Sequence, residues 1–81
     1  MTEQEIKAEI EIHIKGRYSA WTIGITDDPD RRRTEHENPK CWHHWCATTE
    51  EVARRIESYF IKKGCKGDVG GGDNPNYVYI F

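Results

Sequence analysis

The chain of 81 residues is 36% hydrophobic and 32% charged, enough for one small core and not for two, so a single domain over residues 1–81 is expected. Twelve Lys+Arg against fourteen Asp+Glu leave a formal charge of −2, which argues against coating of nucleic acid by bulk attraction and makes any phosphate site local. No apolar stretch approaches the roughly 20 residues needed to cross a bilayer, and no basic-then-apolar leader opens the chain, so a soluble cytoplasmic protein without membrane contact is expected.

Cys41, Cys46 and Cys65 cannot all pair within one chain and read as reduced thiols. A domain this small without staples leans on large side chains, here three Trp, four Tyr and two Phe.

From Thr2 to Lys15 two periods compete. Thr2 and Glu5 form a capping box, and Ile6, Ile10 and Ile14 lie four apart, as a helix stripe requires. Ile6, Ala8, Ile10, Ile12 and Ile14 also alternate with polar residues, the period of a half-buried strand. The balance favours a helix, with a strand near its end as the alternative. Gly16 to Ser19 reads as a turn, and Ala20 to Thr26 as a strand rich in β-branched and aromatic residues. Asp28 then suits an N-cap, Pro29 a first helical position and Asp30 the positive end of the dipole, with Pro39 closing the segment.

Between Pro29 and Asn38 no hydrocarbon side chain other than the proline is present, so this helix has no ordinary docking stripe. Either Arg31/Glu35 and Arg33/Glu37 pairs hold it in solvent, or Arg32 and His36, one turn apart, face something polar. A guanidinium and an imidazole aimed at one small volume suit phosphate chemistry: the first stabilises developing charge, the second takes a proton near neutral pH.

Cys41 to Ala47 reads as a second strand. Its two thiols and two imidazoles invite zinc, but strand alternation sends Cys41, His43 and Trp45 one way and Trp42, His44 and Cys46 the other, so they cannot converge. Thr48 and Glu51 read as a capping box for a helix from about Thr49 to Lys63, with Val52, Ile56, Tyr59 and Phe60 on one stripe, Ala53 beside it and Gly64 as its stop. Glu57 falls about 100° from the middle of that stripe, at the rim of the core, where a carboxylate can hold a hard cation whose other positions are filled by water. An ordinary surface glutamate is the plain alternative. Lys66 to Asn76, with Gly67 and Gly70 to Gly72, reads as a connector, without the ending or the context of a P-loop, and Tyr77 to Phe81 as a final strand. Asp27, Asp28 and Asp30 lack the glycine and closing glutamate of a calcium loop.

The run from Trp21 to His36, Trp-Thr-Ile-Gly-Ile-Thr-Asp-Asp-Pro-Asp-Arg-Arg-Arg-Thr-Glu-His, resembles the second half of a GIY-YIG nuclease domain, and the resemblance extends from about Ala20 to Gly64. It implies an α+β fold with a small three-stranded, mainly antiparallel sheet flanked by helices. By position the family's catalytic arginine matches Arg32, its histidine His36 and its metal-binding glutamate Glu57. The tyrosine of Tyr-Ile-Gly is Thr22 here, and a hydroxyl of that kind cannot assist proton transfer as a phenol can. The first family tyrosine would fall near Glu11; alternatively, the strand Tyr77 to Phe81 fills that place from the other end of the chain and brings Tyr79 to it. The late asparagine matches Asn74 or Asn76. The implied chemistry is hydrolysis of DNA or RNA with one Mg²⁺ or Mn²⁺ on Glu57, Arg32 on the transition state, and Tyr79 or His36 activating water. Two other readings remain at this point. One is a non-catalytic module gripping nucleic acid or an acidic protein through Arg31 to Arg33, Lys62, Lys63 and Lys66; the other is an oligomerising protein with Trp42, Trp45 or Tyr77 on its surface.

Overall fold

A computed structural model of the chain describes residues 1–68 and 73–81. At the N-terminus the four-residue period prevails. Thr2 caps helix α1 (Glu3–Ile14): its Oγ1 accepts from Glu5 N at 3.2 Å while Glu5 Oε1 accepts from Thr2 N at 2.7 Å. Ile6, Ile10 and Ile14 are buried, whereas Ile12, which only the strand reading would bury, is 64% exposed. Lys15 and Gly16, at φ 52° and 76°, reverse the chain in left-handed backbone that glycine adopts without steric cost. A single 3₁₀ turn, Tyr18–Ala20, stands where part of the first strand was expected, and strand β1 is shorter at Thr22–Thr26.

Helix α2 (Pro29–Glu35) follows, then β2 (His43–Cys46), α3 (Glu50–Lys63), β3 (Lys66–Gly67) and β4 (Tyr77–Ile80). Helix α3 is capped one residue later than its sequence suggests. Thr49 Oγ1, not Thr48, accepts from Val52 N at 3.2 Å, and Thr48 sits at φ 73°, outside the helix.

The sheet has four strands in the order β2-β4-β1-β3. β4 is antiparallel to both β1 and β2, and the two-residue β3 adds a parallel edge beside β1, so the sheet is mixed and has four strands where three were expected. The fold class is α+β. Expectations for residues 70–72 lie outside the described residues.

Strand alternation divides the sheet into two unlike faces. Ile23, Ile25, Val78 and Ile80 join Ile6, Ile10 and Ile14 of α1 and Ala53, Ile56 and Phe60 of α3 in one apolar cluster. On the opposite face Trp42, Tyr79 and Phe81 stack, with Trp42–Tyr79 ring centroids 4.6 Å apart and Trp42–Phe81 centroids 5.7 Å apart. Trp42, at 8% exposed, is therefore buried and not part of an open oligomerisation surface, and Trp45 is partly buried against the apolar cluster. No helix among the described residues is long and apolar enough to cross a membrane.

His43 turns to the helix side and stacks on His13 at 3.8 Å, near Trp21 and Trp45. Burial and the neighbouring His13 hold the His43 imidazole below its ordinary value. The unfolded chain therefore binds this proton first, so stability contributed here is intact above about pH 6.5 and declines as pH falls below it. Urea unfolding at pH 7.5 and pH 5.5 is expected to show this loss in the wild type and a smaller one in His13→Gln, which removes the facing imidazole.

Candidate functional site

Helix α2 is held at its start by local chemistry. Thr26, fully buried, accepts from Asp28 N at 3.1 Å, and Asp28 Oδ1 accepts from Arg31 N at 3.1 Å. Pro29 occupies the first turn. Arg31 turns back to Asp27 at 2.7 Å and lies 3.9 Å from Glu35, one of the two expected pairs. Glu37 lies beyond the helix at φ 64°, and Arg33 instead donates Nη2 to the Pro39 carbonyl at 3.3 Å. With no apolar face, α2 meets the sheet through polar groups. Those groups are Arg32 and His36.

Arg32 Nε donates to the Tyr79 hydroxyl at 3.2 Å, across 47 residues of sequence, and Arg32 Nη2 donates to Asp68 Oδ2 at 3.0 Å. His36 Nε2 lies 2.6 Å from the same oxygen, and the Tyr79 hydroxyl donates to it in a very short hydrogen bond. Three side chains thus converge on one carboxylate oxygen. Arg32 Nη1 is also 3.0 Å from Glu35 Oε1, which keeps the guanidinium plane fixed along the helix.

The register explains how Tyr79 arrives. β4 pairs Tyr79 with Gly24 of β1 and with His44 of β2, placing the phenol in the middle of the sheet. Gly24 has no side chain, and the Tyr79 ring lies across it, in the space that any Cβ would need. Gly24→Ala is expected to displace Tyr79 from Arg32 and Asp68 and to destabilise the protein by about 1–3 kcal/mol, because a 1% exposed ring has nowhere to yield. A lowered urea midpoint checks it; an unchanged midpoint would mean that the strands separate without penalty.

The electrostatics follow from this crowding. Burial raises the Tyr79 hydroxyl well above its ordinary value; Asp68 adds to the rise and Arg32 opposes it, so the phenol is neutral at physiological pH. Burial alone would raise Asp68, but the hydrogen bonds from Tyr79 and His36 and the charge of Arg32 hold its carboxyl below the usual range. Since Asp68 is ionised, His36 Nε2 is the donor in this hydrogen bond, and in a neutral ring Nδ1 is then the acceptor. Arg32 is held firmly charged, first by its hydrogen bond with Tyr79 and further by Glu35 and Asp68.

Glu57 sits apart from these three. It projects from α3, the helix that packs on the apolar face of the sheet, and is half-buried. Burial raises its carboxyl, Arg54 opposes the rise and the charge of Asp68 adds to it. It makes no hydrogen bond or ion pair to the described residues. Among those residues, no group of three or more His, Cys, Asp or Glu side chains is arranged to hold a metal ion. A half-buried carboxylate with no hydrogen-bond partner among the described residues still fits a cation held by one protein ligand and water, the coordination Mg²⁺ accepts.

Of the residues the sequence singles out, Arg32, His36 and Tyr79 meet, and Glu57 lies near enough for Asp68 to act on it electrostatically. Glu11 is elsewhere, accepting from the Tyr18 hydroxyl at 2.8 Å. Asn74 is exposed in left-handed backbone at φ 50°, and the Asn76 carbonyl accepts from Ala47 N at 2.7 Å. Asp68 was not foreseen. It stands directly after β3 in a glycine-rich segment, and its only sequence signal is indirect: Arg32 and His36, on a helix without an apolar face, require an anionic partner.

No family model, curated protein or solved structure matches the chain. The functional reading therefore rests on the geometry of the cluster.

Proposed function

We propose that the chain is a divalent-metal-dependent nuclease, hydrolysing phosphodiester bonds of nucleic acid with a GIY-YIG-like set of residues in which the last strand supplies the first tyrosine. The observation that carries this reading is the meeting of Arg32 and Tyr79, far apart in sequence, on the face of the sheet away from the apolar core. A guanidinium, an imidazole and a phenol gathered round one anionic oxygen are the donors that a phosphate oxygen would also find.

In this reading Arg32 binds the non-bridging oxygens of the scissile phosphate and stabilises the charge that develops on them. His36, held in one tautomer by Asp68, offers Nδ1 to the proton of the attacking water. Tyr79, kept protonated by burial, accepts from Arg32 Nε and donates to Asp68, so its role is to position the guanidinium for the phosphate. Glu57 with water would hold Mg²⁺ or Mn²⁺, which supplies Lewis-acid polarisation of the phosphate when bound.

The test is a panel of labelled single- and double-stranded DNA and RNA incubated with Mg²⁺ or Mn²⁺. Cleavage by the wild type, lost in Glu57→Gln with binding largely retained, is the expected result. A wild type that cuts no substrate with either metal overturns the nuclease reading. Because Tyr79 and Asp68 already satisfy Arg32, a non-catalytic module on the same scaffold is the second reading. It requires nucleic-acid binding at low salt that Arg32→Ala weakens, and absence of binding rejects it.

A further inference from the structure

The hollow of about 650 Å³ between α1 and α3 lies in the helix layer, whereas the Arg32–Asp68–Tyr79 cluster lies on the other face of the sheet. Five of the chain's twelve Lys+Arg residues line it, Lys7, Arg54, Arg55, Lys62 and Lys63, around Tyr59. The small Ser58 lies between the larger side chains of α3 and leaves room for the concavity.

The compensation within this hollow is uneven. Its one carboxylate, Glu3, is shared, lying 3.2 Å from Lys7 and 2.9 Å from Arg55. Arg54 reaches out of the hollow to Glu50 at 2.6 Å. Lys63 and Lys7 lie over the Tyr59 ring, at 5.2 and 4.4 Å from its centre, so the aromatic face is occupied by cations and not open to a flat ligand. Lys62 makes no ion pair to the described residues. In a chain with a formal charge of −2, such a concentration is a strongly local field.

From these observations we infer that the α1–α3 hollow binds phosphate groups, those of a single nucleic-acid strand, by charge rather than by base contact. The size of the hollow, within the range of small-ligand sites, matches a few successive phosphates of one strand. A free polyphosphate carries the same chemistry and is the other source of such groups. The inference extends the nucleic-acid side of the proposed function and stands apart from cleavage, because none of its residues belongs to the Arg32–Asp68–Tyr79 cluster.

The experiment measures fluorescence anisotropy of a labelled dT12 oligonucleotide in EDTA, where metal-dependent cutting is absent, with inorganic tripolyphosphate as a competitor. Lys62→Gln/Lys63→Gln is expected to weaken dT12 binding at least tenfold and to reduce the slope of log affinity against log salt by about 1.4, two contacts at roughly 0.7 each for a single strand. Arg54→Gln/Arg55→Gln, about two turns earlier on α3, gives an independent variant should the first fail to fold by circular dichroism. Lys15→Gln/Lys40→Gln, exposed and outside the hollow, should stay within twofold of the wild type. Competition by tripolyphosphate that depends on the same lysines supports the phosphate chemistry; tripolyphosphate binding without dT12 binding assigns the hollow to free polyphosphate and overturns the nucleic-acid form. Hollow variants that bind like the wild type, equal losses in the control pair, or no binding of either probe overturn the inference. A wild type that cuts nucleic acid while the hollow variants bind normally overturns this inference and leaves the nuclease reading intact.

Discussion

Arg32→Ala is expected to yield a folded protein whose metal-dependent cleavage is slower by about 10²–10³, the usual consequence of removing one preorganised donor from a developing oxyanion. The substitution deletes the Nε hydrogen bond to Tyr79 and the Nη2 hydrogen bond to Asp68 together. It leaves a partly buried carboxylate with two donors instead of three, and the expected loss of stability is about 1–3 kcal/mol. Arg32→Lys tests the geometry more sharply. An ammonium keeps the charge but lacks the planar fork that serves Tyr79 and Asp68 at once, so it should remain nearly as slow as alanine. Single-turnover rates with thermal melts of each variant check both effects; a wild-type rate in Arg32→Ala would remove the arginine from the chemistry.

Phe60→Ala is expected to cost about 3–5 kcal/mol, the largest loss of stability from a single substitution proposed for this chain. Phe60 is fully buried beneath the sheet, with its ring 4.9 Å from Tyr59 and 6.5 Å from Tyr18. Its carbonyl also accepts from Gly64 N and Cys65 N, where α3 turns toward β3, so the residue anchors both the core and the exit of the helix. At roughly 0.05–0.15 kcal/mol per residue, a domain of this length holds on the order of 4–12 kcal/mol in all, so the substitution removes a large share of the total. Urea denaturation at 25 °C measures the difference. A loss below about 1 kcal/mol would show that the surrounding cluster closes over the gap.

The sequence made α3 easy to read because one stripe, Ala53, Ile56 and Phe60, has a single helical period and ends at Gly64. It left α1 ambiguous because four-residue and two-residue spacings both fit Ile6, Ile10 and Ile14; the reciprocal Thr2–Glu5 cap accompanies the helical solution, and Ile12 is left outside. Arg32 and His36 were legible as a pair because a helix without hydrocarbon must meet its neighbour through polar atoms. Asp68 was not, since its role depends on contacts 32 and 36 residues away that no local pattern encodes. The cap at Thr49 rather than Thr48 turns on a left-handed backbone at Thr48, a conformation that a β-branched residue does not advertise. The fourth strand escaped notice because two residues carry no periodicity.

β4 has a further consequence. It is the strand partner of β2 among the described elements, the antiparallel partner of β1, and the carrier of Tyr79. Before it inserts, the ladder edges of β1 and β2 stand open and the guanidinium of α2 lacks its phenol. Closing the sheet and assembling the cluster are therefore one step, and the proposed nuclease activity should be lost at the same denaturant concentration as the far-ultraviolet signal, with no half-assembled species retaining it.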